Sequence, residues 1–93
     1  MRVSVIGGST VSDEEYATAQ TLGEQLAERG HEVVCGGRTG VMEAVCQGAR
    51  SAGGHTIGIL PGSNPADANP YVETAIATGI NDARNAVVVL NGD

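Results

Sequence analysis

The sequence predicts an α/β fold: a parallel sheet of three to four strands with helices on both faces. Three observations carry this. Short β-branched runs alternate with helix-like runs in the order strand, helix, strand, helix, strand, which calls for crossover connections and parallel pairing. The 14 glycines, about twice the usual ~7% share, stand at the joints between those runs. With no Phe, no Trp and only two Tyr, the core must come from Val, Ile, Leu and Ala, which suits closely packed layers.

The 93 residues make one domain, 1–93, which at this size buries roughly 60–70% of the surface of its unfolded chain. "RVSVI" at 2–6 reads as a short, largely buried strand. "SDEE" at 12–15 is a capping box, with Ser12 and Glu15 satisfying each other's backbone N–H groups and the acids facing the positive helix end. Asp13, Glu14 and Glu15 are therefore read as capping charges. Tyr16, Ala19, Leu22, Gly23 and Leu26 recur at helical spacing and form one apolar face, and Gly30 ends the helix. "HEVVCG" at 31–36 is a second strand. The helix that follows carries Val41, Val45, Gly48 and Ala52 on one stripe and stops at Gly53 and Gly54. "HTIGIL" at 55–60 is the third strand. The segment 61–71 holds all three prolines and is expected to be irregular. It can close over a ligand or simply form flexible surface. "ETAIATGI" allows a short fourth strand. In "NDARNAVVVLNGD" the valines favour strand, while the start resembles a capped helix.

A net charge of −6, from 11 acidic residues against five arginines and no lysine, disfavours nucleic acid polymers and anionic membranes as partners. It leaves room for a small anion in a locally positive cleft. The acidic, lysine-free composition fits a high-salt, halophile-like cytoplasm or, equally, ordinary acidic composition. Cys35 and Cys46 form no CxxC and no zinc spacing, so no metal site is expected. They read as small core residues, free thiols in a reducing cytoplasm. The opening residues are too short for a signal peptide, and no apolar run approaches the ~18 residues of a membrane span. His31 and His55 precede strands at the far end from the glycines and are expected to be exposed and inert.

In an open parallel sheet, ligands bind beyond the C-terminal strand ends. Here those ends carry "GGST", "GGRTG" and "PGSN". Such turns aim free N–H groups outward, and glycine removes the Cβ that would block an approaching phosphate. Ser9, Thr10 and Thr39 add hydroxyls, and Arg38 adds charge. A tight turn without ligand, and a merely solvated Arg38, are the plainer alternatives. A dinucleotide site would need G-x-G-x-x-G and an acid closing the second strand; "CGGR" stands there instead. A Walker loop needs lysine. The residues thus point to a phosphate-bearing ligand held by two glycine loops.

"VIGGST", "VVCGGRTGVMEAVCQGA", "IGILPG" and "ATGINDARNAVVVL" together resemble the LOG-like Rossmann family. That family includes cytokinin-activating phosphoribohydrolases, formerly labelled lysine decarboxylases, and molybdenum-cofactor carrier proteins. The stretches lean toward the carrier-like branch. The resemblance implies a Rossmann-like three-layer fold and ligand contacts at Gly7, Gly8, Ser9, Gly36, Gly37, Gly40 and Met42, to which the loop chemistry adds Thr10, Arg38, Thr39, Pro61 and Gly62. It implies an AMP-like nucleotide or molybdopterin as ligand, no obligatory cofactor, a homodimer, and helix over 81–90. In the hydrolase branch, Arg84 stands at the place of a catalytic arginine; its plainer role is an ion pair with Glu73 or Asp82. The hydrolase segment "PGGxGTxxE", with its catalytic Glu, is absent from the 93 residues. The chain thus resembles the N-terminal part of a larger doubly wound sheet. Three readings follow: binding of a phosphate-bearing cofactor, hydrolysis of a nucleoside 5′-monophosphate with residues supplied from elsewhere, or a fragment inactive alone.

Overall fold

The computed structural model describes all 93 residues. The elements run β1 (Arg2–Ser4), α1 (Asp13–Glu28), β2 (Glu32–Cys35), α2 (Val41–Ser51), β3 (Thr56–Leu60), β4 (Thr74–Ala77) and α3 (Arg84–Leu90), with single 3₁₀ turns at Pro65–Asp67 and Asn81–Ala83. The four strands pair in the order β1-β2-β3-β4, all parallel.

Alternation along β2 divides the core between two faces. Val33 and Cys35 join Val5, Met42, Val45, Cys46 and Ala49 under α1 and α2. Val34 points the other way and packs with Ile57, Ile59 and Val88 of α3. The expected arrangement of helices on both faces is therefore present.

The predicted capping box forms. The Glu15 N–H donates to Ser12 Oγ at 3.1 Å and the Ser12 N–H to Glu15 Oε1 at 3.0 Å. The Ser12 N–H first, and then the Ser12 hydroxyl, hold the Glu15 carboxyl below its ordinary pKa. At the other end, the N–H groups of Gly30 and His31 return to Ala27 O and Leu26 O, closing the helix as expected. Helices α1 and α2 cross at glycines. A Cβ on Gly23 would lie 2.9 Å from Ala49 N, and one on Gly48 would lie 3.0 Å from Glu24 N. The two backbones are thus in direct contact, and no larger residue fits either position.

Seven residues are too few for a helix to persist alone. Tertiary contacts hold α3: Val88 is buried in the second core, worth roughly 1.5–3 kcal/mol for a valine, and Ser4 Oγ donates to Val88 O at 2.7 Å. The chain then reaches β1, where the Asp93 N–H donates to Arg2 O at 2.8 Å. Burial of one valine face thus overrides the strand propensity of Val87, Val88 and Val89.

Several expectations need correction. Strand β1 ends at Ser4, and Ile6 is exposed. Leu22, expected on the apolar face of α1, is 42% exposed, while Ala19 and Gly23 are buried. Segment 61–71 is not wholly irregular: Asn64 caps the turn at Pro65–Asp67 through a bond from the Ala66 N–H. Asn69 is buried against the second glycine loop. His55 is not inert. Its Nδ1 lies 2.6 Å from Glu32 Oε2 and its Nε2 lies 2.8 Å from Thr74 Oγ1. Adjacent strand starts bring those three side chains together. No helix is long and apolar enough to cross a membrane.

Candidate functional site

The C-terminal ends of β1 and β2 release the chain into the two glycine loops, which lean on each other. Gly40 adopts φ +70°, a backbone region that L side chains rarely occupy, and a Cβ there would lie 2.6 Å from Ser9 C. Thr39 Oγ1 donates to Ser9 O at 3.1 Å, and the Val41 N–H donates to Gly8 O at 3.0 Å. One donor of the first turn of α2 is thereby spent on the neighbouring loop. The N–H groups of Gly7, Gly8 and Ser9 donate to no protein acceptor.

Beside these loops lies a cleft of about 180 Å³. Gly7, Ser9, Gly36, Met42, Arg84 and Asn85 line it. Arg84 is its distinctive member. It is 8% exposed, and its Nη1 donates to Gly36 O at 2.6 Å and to Ile59 O at 3.0 Å. Both acceptors are carbonyls near strand ends, so the sheet itself aims the guanidinium. Its Nε is buried with no partner. No carboxylate pairs with it: Glu73 bonds Arg50 at 2.9 Å instead, and no ion pair involves Asp82. Desolvating a cation without a counter-charge costs several kcal/mol. Gly36 makes the placement possible, since a Cβ there would lie 2.8 Å from Arg84 Cζ and 2.6 Å from Met42 Sδ.

Of the residues singled out in the sequence, the cleft gathers Gly7, Ser9, Gly36, Met42 and Arg84. Gly8, Thr10, Gly37, Arg38, Thr39, Gly40, Pro61 and Gly62 do not line it. Several of these act as supports. Arg38 Nη1 donates to Asp67 O at 3.2 Å, while Arg38 O accepts from Asn69 Nδ2 at 2.7 Å. The carbonyls of Pro61 and Gly62 accept from the Asn81 and Gly79 N–H groups at 2.9 and 2.8 Å, fixing the chain that enters α3. Asn85 and Ile6 were missed. Asn85 directly follows Arg84, and a polar pair opening an apolar helix was the available signal.

A wider open groove of about 730 Å³ runs along α1 past Glu14, Glu15, Leu22 and Val41. It carries acids and no cation, which is the wrong sign for a phosphate. The buried cation, Arg84, lines the smaller cleft. No Asp or Glu lines that cleft, so it holds no carboxylate for acid–base work.

A sequence model described as the SLOG cluster4 family matches residues 1–93. An uncharacterised protein of Archaeoglobus fulgidus is 40% identical over 93 residues, covering 100% of this chain and 61% of the relative. The molybdenum cofactor binding protein of the phototrophic bacterium Rippkaea orientalis superposes with a TM-score of 0.89 at 40% identity, over 95% of this chain and 55% of the other. The molybdenum cofactor carrier protein of Chlamydomonas reinhardtii gives 0.81 at 33% identity, over 95% and 55%. The chain thus spans little more than half the length of these relatives.

Proposed function

The chain belongs to the SLOG cluster4 family, and on that footing we propose that its cleft binds the phosphate end of a phosphate-bearing cofactor of the molybdopterin type. One observation carries the reading: Arg84, buried and without a carboxylate partner, lines one cleft with Gly7 and Ser9, whose N–H groups donate to no protein acceptor. A dianionic phosphate supplies what this arrangement lacks, a counter-charge and acceptor oxygens in one group.

The fit is partial by size. About 180 Å³ falls below the ~300–1,000 Å³ typical of sites that enclose a whole ligand. The cleft holds a phosphate and the atoms attached to it; the ring system extends outward past Ile6 and Asn85. In this arrangement Arg84 neutralises the phosphate, Gly7 and Gly36 let it approach, and Ser9 donates a hydroxyl hydrogen bond. The names of the structural relatives support cofactor binding over hydrolysis.

The test compares each ligand with its dephosphorylated form. AMP against adenosine, and a phosphorylated pterin against its alcohol, are titrated calorimetrically. The phosphorylated member of each pair is expected to bind and the other not. Equal binding within a pair would overturn the phosphate assignment.

A further inference from the structure

The two thiols, expected to be plain core residues, lie together. Cys35 ends β2 and Cys46 stands on the second turn of α2, with their sulfurs 3.5 Å apart and both side chains fully buried. The Gly37 N–H donates to Cys35 Sγ at 3.4 Å. The segment between the two cysteines contains the entire second glycine loop and Met42, one wall of the cleft.

We propose that Cys35 and Cys46 form a reversible dithiol–disulfide pair, oxidised by a hydroperoxide, whose state sets the shape of the second glycine loop. The chemistry is asymmetric. The hydrogen bond from Cys46 chiefly lowers the Cys35 pKa against the opposing effect of burial, helped by the Gly37 N–H and by the Arg84 charge. Donating that bond, together with burial, raises Cys46. The Gly37 N–H that donates to Cys35 Sγ, a bond Cys46 lacks, assigns Cys35 as the thiolate that attacks and Cys46 as the thiol that resolves. In the first step Cys35 Sγ attacks the peroxide, the O–O bond breaks, a sulfenic acid forms and an alcohol or water leaves. In the second, Cys46 Sγ attacks the Cys35 sulfur, the S–O bond breaks, and hydroxide leaves with the Cys46 proton as water. The dithiol loses two electrons and the peroxide gains them. Hydrogen peroxide is small enough to arrive when the first turn of α2 opens locally beside the cleft.

Bond formation draws the sulfurs from 3.5 Å to ~2.05 Å. The disulfide closes a ring around residues 36–45 and weakens the acceptor used by the Gly37 N–H. Gly36 O, which aims Arg84, lies inside that ring. Oxidation is therefore expected to loosen phosphate binding about tenfold, within the ~5–150-fold range of coupled sites. This last step rests on the phosphate reading of the cleft; the disulfide does not.

The 93-residue chain, reduced and then exposed to hydrogen peroxide, is followed by intact mass, peptide mapping and the amide shifts of residues 36–40. Expected are loss of two hydrogens from the monomer, a Cys35–Cys46 link, displaced amides in the loop, and reversal by dithiothreitol. Cys46→Ser should stop at a sulfenic acid on Cys35, trapped by dimedone. Thiols that remain free, or a sulfinic acid on Cys35 without a crosslink, would overturn the pair. Unmoved loop amides in the oxidised chain, or unchanged AMP affinity where the reduced chain binds it, would overturn the coupling. If the reduced chain binds no phosphorylated ligand, the cofactor reading fails while mass and amide shifts still decide this one.

Discussion

Replacing Arg84 by methionine separates a ligand anchor from a structural strut. Methionine keeps a long flexible stem and removes the charge and every donor. Two effects oppose each other in the free protein. The bonds to Gly36 O and Ile59 O disappear, costing ~1.5–3 kcal/mol each for charged donors. A buried cation with no counter-charge disappears too, and its desolvation cost was several kcal/mol. The net change in stability should fall within about 2 kcal/mol of zero. Binding has no such compensation. Removing one partner of a buried guanidinium–phosphate pair costs ~2–5 kcal/mol, and 3 kcal/mol is about 140-fold in Kd. The assay is calorimetric titration with a phosphorylated ligand beside thermal unfolding of the same samples. A variant that melts far lower yet binds within threefold of the original would refute the reasoning, because Arg84 would then serve only to tie Gly36 to Ile59.

Three further predictions follow from the packing and the charges. Gly36→Ala puts a Cβ 2.8 Å from Arg84 Cζ, so phosphate affinity should fall about tenfold or more, with a stability loss of roughly 1–3 kcal/mol measured by denaturant titration. Gly48→Ala gains up to ~1 kcal/mol in helix propensity but drives a methyl into the α1 backbone, so a chemical melt should show net destabilisation; a more stable variant would contradict the close helix crossing. The Glu32 carboxyl is held below its ordinary pKa of 4.5, chiefly by the hydrogen bond with His55 and despite partial desolvation. A depressed carboxylate contributes stability above its unfolded pKa and loses it as pH falls through the folded value. Glu32→Gln should therefore flatten the stability–pH curve below about pH 4.5 and lower the plateau above it, as read from unfolding midpoints across an acid series.

The elements were legible where local chemistry decides. Ser12 and Glu15 mark the start of α1 because both partners of the capping box lie within one turn. Val33, Val34, Ile57 and Ile59 mark strands because β-branched runs suit a sheet buried on both sides. Legibility failed where distant groups decide. Gly23 and Gly48 read as members of apolar stripes, yet their role is the contact of two helix backbones. Arg38 read equally as a site charge or as a solvated one, and what its side chain meets, Asp67 O, lies 29 residues along the chain. The buried position of Arg84 depends on carbonyls at Gly36 and Ile59, far away in sequence, and no local pattern encodes that meeting. The thiol pair is hidden for the same reason, since a strand end and a helix meet only after α2 packs on the sheet.

The central claim is that the buried Arg84 guanidinium pairs with a phosphate held in the cleft. The Arg84 Nε ¹H–¹⁵N resonance, assigned by comparison with Arg84→Met, can be followed while AMP or a phosphorylated pterin is added. A saturable downfield shift is expected with the phosphorylated ligand and none with its dephosphorylated form. A phosphorylated ligand that binds while this resonance stays in place would contradict that pairing.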